Sequence, residues 1–340
     1  MKLVVMIPAY NEEKTVGSVI REIPEEIPGV EFVESLVIDD GSTDKTAKVA
    51  EQAGAHKILS HETNLGLGVS FREGVNYALG MGADIIVNID ADEQFDPKDI
   101  SRLIEPILKG EADFVTASRF LDKDAGFRMP WIKKIGNRIF TRIVSRLTNR
   151  ELTDTQCGFR AYSKEAALRL NIFGDFTYTQ EIFLDLANKG LSVKEIPVRV
   201  RERQGKSKVV THWHTYGFNA LIIIIRTFRD YKPLTFFGSI GLGILSPGII
   251  IGLFMLIRWF IIGRTSPYTS LLYITVIMLI LGIIFIVLAL IADMIGRQRK
   301  IEEEILYWNK LRRYTNMNRK GKNLRKKVEK NMPGLKDEQE

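Results

Sequence analysis

The sequence predicts an α/β fold, a mostly parallel sheet with helices on both faces, followed by a two-helix transmembrane hairpin. Three observations predict it. From residue 3 to about residue 118, short apolar runs alternate with amphipathic stretches, which is the pattern of βαβ units. The run Ala83-Asp84-Ile85-Ile86-Val87-Asn88-Ile89 has the near-continuous apolar character of a central parallel strand and closes on Asp90-Ala91-Asp92. Leu234 to Ile257 and Ser266 to Ala292 contain no Asp, Glu, Lys or Arg. Each exceeds the roughly 20 residues needed to cross about 30 Å of hydrocarbon.

In chain order, strands are expected at Leu3 to Ile7, Ser35 to Ile38, Lys57 to Leu59, Ile85 to Ile89 and Phe114 to Thr116. Helices are expected at Lys14 to Glu22, Lys45 to Ala53, Gly68 to Gly80 and Pro97 to Lys109. Met1 to Tyr10 is too short for a signal peptide and runs into Asn11-Glu12-Glu13, so it reads as the first strand. Phe127 to Arg150 carries Arg128, Lys133, Lys134, Arg138, Arg142, Arg146 and Arg150 without an acid. Its Ile132, Ile135, Ile139, Ile143 and Leu147 fall at three- and four-residue spacing, the pattern of a basic amphipathic helix lying in a membrane interface. A solvated helix packed on the sheet is the plainer alternative.

The expected organisation is therefore a cytoplasmic catalytic domain over 1–210, with the interfacial helix at 126–150. A juxtamembrane helix follows over 211–232, then spans at 233–262 and 266–293, and a basic tail over 294–340. His212, Trp213, His214 and Tyr216 suit the headgroup zone of that juxtamembrane segment. The small residues Gly238, Gly241, Gly243, Ser246 and Gly248 let the first span approach a neighbouring helix closely. A hairpin of this kind leaves helix faces free for self-association, which makes a homo-oligomer one expected partner.

Charge gives the orientation. The chain of 340 residues has a net charge of +7, and Arg297 to Glu340 accounts for all of it, with 14 Lys or Arg against 7 Asp or Glu. Only Arg258 and Arg264 lie between the spans, so the tail and everything before residue 234 are expected on the cytoplasmic side of the cell membrane. The basic balance belongs to a membrane-proximal tail that has no reading motif, and no nucleic-acid partner is expected. The single Cys157 excludes an internal disulfide and fits a reducing compartment.

The chemistry is expected at the carboxyl ends of the strands, where open α/β sheets hold their ligands. Asp90 and Asp92 sit at such an end, and a hard cation, Mg²⁺ or Mn²⁺, takes one or two carboxylates together with substrate phosphates. Asp39-Asp40-Gly41-Ser42-Thr43-Asp44 forms a second polar strand exit. The chain has no G-x-x-x-x-G-K-[ST] loop, and Asn64-Leu65-Gly66-Leu67-Gly68 is too short for a dinucleotide fingerprint. A nucleotide is thus expected to be held by carboxylates and metal.

Pro8-x-Tyr10-Asn11-Glu12, Asp39-Asp40-Gly41-Ser42-x-Asp44, Asn64-x-Gly66, Asp90-Ala91-Asp92-x-Gln94, Ser118-Arg119 and Cys157-Gly158-Phe159-Arg160 occur in one order. That order resembles the family 2 glycosyltransferases, and most of all the polyprenyl-phosphate hexose synthases, over residues 3 to 210. The resemblance implies a glycosyltransferase A-type (Rossmann-like) fold and inverting transfer of a hexose. The implied donor is a UDP- or GDP-hexose, and the implied acceptor a polyprenyl (dolichyl) phosphate lipid. It implies a nucleotide-sugar pocket of Pro8, Tyr10, Glu12, Ile38, Asp40, Asp90, Ala91, Asp92, Gln94, Arg119 and Lys208, with metal at Asp92 and Gln94. Lys208 closes Gly205-Lys206-Ser207-Lys208, similar to the family's G-x-S-K loop.

The chain departs from the pattern in places: Ala117 replaces the Gly of G-S-R, and Glu202 replaces an Arg usually found three residues before the last loop, with Arg201 and Arg203 flanking it. Either of those arginines can join Asp92 and Arg119 in stabilising the leaving diphosphate. Arg128 and Arg138 are the expected contacts of an acceptor phosphate. A phosphate acceptor needs no general base, because its second pKa near 6 leaves it mostly deprotonated at neutral pH. A sugar hydroxyl acceptor would need one, and Glu181 stands where such an acid is found. A non-catalytic membrane module is the reading from another class, and it predicts no metal-dependent binding of a nucleoside diphosphate.

Overall fold

The computed structural model describes residues 1–122, 131–148, 150–171, 182–183, 185–187, 189–201, 225–226, 228–229 and 232–331. The chain divides into two compact units, Met1–Trp213 with Ile305–Glu340, and His214–Glu304.

In the first unit the described strands are β1 (Lys2–Ala9), β2 (Phe32–Asp39), β3 (Lys57–Ser60), β4 (Ile85–Asn88), β5 (Phe114–Ser118), β6 (Arg160–Ser163) and β7 (Val193–Pro197). They form one sheet in the order β3-β2-β1-β4-β6-β5-β7. β1 runs parallel to β2 and β4, β2 to β3, and β5 to β7, whereas β6 is antiparallel to both β4 and β5. Helices α1 (Val16–Arg21), α2 (Thr46–Gln52), α3 (Leu67–Gly80), α4 (Ile100–Leu108), α5 (Trp131–Thr148) and α6 (Lys164–Arg169) join them. The expected strands and helices recur within a few residues. The additions are β6, β7 and α6, and the two strands carry the sheet past β4.

β1 is buried from Leu3 to Ala9, as a strand covered on both faces must be. Leu3, Val5 and Ile7 join Val19, Leu103 and Ile104 in one core layer. On the other face, Gly74 lets α3 close on β1 and β2, because a Cβ there would lie 2.5 Å from Met6 Sδ and 3.0 Å from Ile38 Cδ1. Arg160 opens β6 fully buried, its guanidinium 4.9 Å from the Phe183 ring centroid and its Nη2 donating to Thr155 O at 3.0 Å.

The last part of the chain adds to this unit. α8 (Thr269–Asn331) presents Tyr307, Lys310 and Tyr314 at three- and four-residue spacing. Tyr307 donates to Glu165 and lies against the Arg169 guanidinium, Lys310 donates to Leu170 O and Asn171 Oδ1, and Tyr314 bonds Asn76. The segment expected only as a basic tail is thus also a packing element of α3 and α6.

The second unit holds α7 (Pro233–Ile262) and the apolar first part of α8, two helices long and apolar enough to cross a membrane. They come close together at small residues. A Cβ on Gly241 would stand 3.1 Å from Gly282 O, and one on Gly282 would stand 3.0 Å from Leu245 Cα. Ile250, Phe260, Ile261 and Tyr273 face outward, as side chains that meet lipid do.

Gly41 makes a tight backbone contact in the first unit. Its φ is +69°, and a Cβ would fall 2.4 Å from Thr63 C and 2.7 Å from Asn64 N. Gly41→Ala combines left-handed strain with a backbone clash, so thermal unfolding of the full chain in detergent should show a loss of about 2 kcal/mol or more. A variant as stable as its parent contradicts this packing.

Candidate active site

The parallel strands all end on one edge of the sheet, and the sequence puts acids there. Pro8 pairs with Ile38 and Ala9 with Asp39 across β1 and β2, so the turns after both strands emerge side by side. They are stitched together. Asn11 N donates to Ser42 Oγ and Glu12 N to Thr46 Oγ1, while Asn11 Oδ1 accepts from Thr43 N at 2.8 Å. Asn11 holds φ at +55°, a conformation Asn tolerates better than most residues. Tyr10 is 39% exposed at this edge.

Asp39 Oδ1 accepts Ser42 N, which shapes the turn that follows β2. Asp40 is buried, and its two oxygens accept Leu65 N at 3.0 Å and Gly66 N at 2.9 Å, with the His61 ring 2.8 Å away. Burial opposes its charge, but the hydrogen bonds from His61, Leu65 and Gly66 outweigh that and hold its carboxyl below the usual range. Ile38 is fully buried beneath α3, so it offers the edge only its backbone.

Beyond β4, Asp90 and Asp92 flank the buried Ala91. Asp92 Oδ1 accepts Gln94 N at 3.2 Å, an Asx turn that brings Asp92 and Gln94 to one tight loop. Glu93 sits at φ +61° within it, and its carboxylate accepts the Ser18 hydroxyl. Asp90 lies against Gly158, where a Cβ would fall 2.7 Å from Oδ2 and 3.0 Å from Oδ1. Asn88 anchors the same spot by donating to Gly158 O at 2.9 Å. The Cys157-Gly158 motif thereby acquires a physical reason: only glycine leaves room for the Asp90 carboxylate. Cys157 itself is buried, which pushes its thiol up to about 12 and makes it inert.

Arg119 follows β5 and is gripped by Asp154 in a bidentate pair, Nε to Oδ2 at 2.7 Å and Nη2 to Oδ1 at 3.0 Å. Burial alone would lower its pKa, but the pairing with Asp154 and the charge of Asp90 raise it, so the group stays cationic. Asp154 is wholly buried, and Glu195 on β7 fixes its loop by accepting Thr153 N and Asp154 N. Burial leads Glu195 to a raised pKa. Asp154, Glu195 and His61 were missed by sequence reasoning. The one usable signal was that Thr153-Asp154-Thr155 precedes the Cys157-Gly158 motif.

Arg201 reaches the same edge, since its N–H donates to Gln94 O, but its guanidinium is bound by Glu22 and Asp96 at 2.8 and 2.7 Å. Arg203, Lys208, Glu181 and Arg128 lie outside the described residues. Arg138 is exposed on α5 and lines a groove of about 740 Å³ with Lys134, Arg142, Arg146, Arg150 and Phe120. α5 packs inward through Asn137, Phe140, Thr141 and Val144 and leaves Ile139 53% exposed. Part of the expected apolar stripe therefore faces away from the unit, beside the basic groove.

Among the described residues no three His, Cys, Asp or Glu side chains form a metal-binding group. The oxygen donors of Asp92 and Gln94, with Asp90 beside them, nevertheless fit a hard cation that takes its remaining ligands from a substrate.

Comparisons with known proteins bear on this arrangement. The model of the family "Glycosyl transferase family 2" matches residues 4–170. The UDP-N-acetylglucosamine--dolichyl-phosphate N-acetylglucosaminyltransferase of Methanococcus voltae is 31% identical over 214 residues, covering 57% of this chain and 83% of that protein. The dodecaprenyl-phosphate galacturonate synthase of Rhizobium johnstonii is 26% identical over 306 residues, 87% of this chain and 88% of that one. Glucosyl-3-phosphoglycerate synthase from Mycobacterium tuberculosis, solved in complex with Mn²⁺, UDP and glucosyl-3-phosphoglycerate, matches with a TM-score of 0.51 at 24% identity, over 68% of this chain and 79% of that one. The fold is thus of the glycosyltransferase A type.

Removing one partner of the Arg119–Asp154 pair strands a buried charge. Asp154→Ala should lower stability by about 3 kcal/mol, read by thermal unfolding in detergent. An unaffected melting temperature would mean that the pair does not organise this edge.

Proposed function

The chain belongs to glycosyltransferase family 2, and on that footing we propose that it moves a hexose from a nucleoside-diphosphate sugar to a polyprenyl phosphate at the membrane surface. That it is a glycosyltransferase follows from the family; donor class, acceptor, metal and orientation are the proposal. The observation that carries it is the acidic edge made by Asp90, packed against Gly158, and the Asp92–Gln94 turn, with Arg119 held cationic next to it. Carboxylates alone repel a diphosphate, so the edge can receive one only with a cation between them.

In this reading Asp92 and Gln94 hold Mg²⁺ or Mn²⁺, which when bound offsets the charge of the diphosphate. Pro8, Tyr10, Glu12 and the Asp40 turn border the base and ribose, with Ile38, Asp90 and Ala91 contributing close to the backbone. Arg119 neutralises charge as the sugar–diphosphate bond breaks, aided by Arg201 or Arg203 and by Lys208. The phosphate oxygen of the acceptor bonds the anomeric carbon from the opposite side, and the nucleoside diphosphate departs with the electron pair. Such a nucleophile arrives deprotonated, and no base is required of the protein. A basic groove on α5, lined by Lys134, Arg138, Arg142 and Arg146, gives the acceptor headgroup opposite charge near an exposed isoleucine, and Arg128 is proposed as a further contact from its place in the sequence alone.

The acceptor assignment draws support from the Rhizobium relative, whose similarity extends through the apolar helices. The soluble unit and the basic segment from Ile305 on are proposed to be cytoplasmic. They share one compact unit, which requires an even number of crossings between them, and the excess of basic residues favours the cytoplasmic side.

Purified full-length protein with Mn²⁺ or Mg²⁺, a polyprenyl phosphate and a panel of UDP- and GDP-sugars should yield one glycosyl-phospholipid, identified by mass. Asp92→Ala should lose about 10²-fold or more in turnover, the scale of removing a charge-stabilising group. A fully active Asp92→Ala enzyme would falsify the metal assignment, and transfer to a sugar hydroxyl alone would return Glu181 to consideration.

A further inference from the structure

The loop between β3 and α3 has an unusual attachment. His61 is nearly buried, its side chain 6% exposed, and both ring nitrogens face carboxylates: Nδ1 lies 2.8 Å from Asp40 Oδ1 and Nε2 3.1 Å from Glu73 Oε2. Ionised carboxylates only accept hydrogen bonds, so a ring that satisfies both must donate from both nitrogens and carry a positive charge. The backbone completes the attachment, since His61 N donates to Asp39 O while Leu65 N and Gly66 N donate to Asp40. Gly41 lies directly under Thr63 and Asn64. One imidazole therefore links the turn after β2, the 61–66 loop and the second turn of α3.

We propose that His61 is a positioning residue of the donor pocket, clamping the 61–66 loop and the Asp40 turn into the shape that receives the nucleoside diphosphate. The inference rests on the reading of that edge as the donor site. His61 acts through Asp40 and the loop, not on the sugar. With the ring removed, Asp40 and Glu73 lose the cation between them, and the loop retains only its backbone contacts, chiefly the amide bonds to Asp39 and Asp40. Tyr10, Asn11 and Ser42 border the same turn, so a displaced loop changes the pocket wall without touching Asp92 or Arg119.

Titration supplies the sign. Asp40 at the end of β2 and Glu73 on α3 are the charged groups facing the ring, and Glu73 also borders a cleft with Arg313 of α8. Burial works against the charged ring, but the hydrogen bonds and charges of Asp40 and Glu73 overcome it and raise the pKa of His61 above its ordinary 6.5. The clamp is thus complete below the ordinary value and released as pH rises through the raised one.

The test uses full-length protein in detergent and two readouts. Hydrogen exchange of the amides of 62–66, with no nucleotide present, should accelerate in His61→Ala, and in the parent it should accelerate as pH rises beyond the intrinsic exchange rate. Steady-state kinetics of the parent should show a donor KM that rises with pH. His61→Ala should show a KM raised roughly tenfold at low pH, with that pH dependence gone and kcat within about twofold, because ground-state positioning is what was removed. Glu73→Gln, a change at a half-exposed α3 position, should fold normally and shift the rise in KM to lower pH.

Unchanged exchange in His61→Ala overturns the proposal, as does a loss confined to kcat. If the parent itself takes no nucleoside diphosphate, the glycosyl-donor reading falls, and the exchange result alone decides whether His61 clamps the loop.

Discussion

Negative charge gathered at the carboxyl edge of the sheet is the constraint to which the rest of this molecule answers. Asp39, Asp40, Asp90 and Asp92 emerge from β2 and β4 within a few residues of a largely apolar interior. Isolated carboxylates in such surroundings would protonate or attract water. Here, Asp39 and Asp92 accept backbone N–H groups from the turns that follow, at Ser42 and Gln94, and Asp40 accepts Leu65 N and Gly66 N from the loop after β3. Those bonds both stabilise the charges and fix the turns. Two glycines make the arrangement sterically feasible, Gly41 under the 63–64 backbone and Gly158 against Asp90. An edge preorganised in this way favours a cation and, through it, a phosphorylated ligand, with little reorganisation on binding.

Arg119 extends the same logic to the opposite sign. A guanidinium near developing charge must neither swing away nor be fully neutralised. Asp154 takes one edge of it in a bidentate pair, and Glu195 holds the loop that carries Asp154. The positive group is thus positioned by an acid that is itself positioned by a strand. β7 and antiparallel β6 exist in the sheet largely to bring these parts beside β4 and β5.

The strand–helix alternation was legible because apolar runs such as Leu3 to Ile7 and Ile85 to Ile89 have no other stable fate than a sheet covered on both faces. β6 was not, since it opens on Arg160, a charge that reads as surface until Phe114 and Phe183 are seen to receive it. The aspartates of the edge were legible as strand exits, but their partners were not. Glu195, Asp154 and His61 act across 42, 35 and 21 residues of separation, which no local pattern encodes. The docking face of α8 was hidden for another reason. Tyr307, Lys310 and Tyr314 lie in a stretch dominated by charge, and only their helical spacing marks them as one face. Close packing of α7 on α8 through Gly241 and Gly282 was anticipated in part, because small residues in an apolar helix have few other uses.

The central claim is that a divalent ion joins a nucleoside diphosphate to this acidic edge. Calorimetric titration of UDP and of GDP into the full-length protein in detergent, once with Mn²⁺ and once with a chelator, tests it without need of sugar or lipid. The account predicts that one of the two nucleotides binds at least about tenfold more tightly with the ion present, a difference of roughly 1.4 kcal/mol. Equal affinity with and without the ion, for both nucleotides, would contradict it.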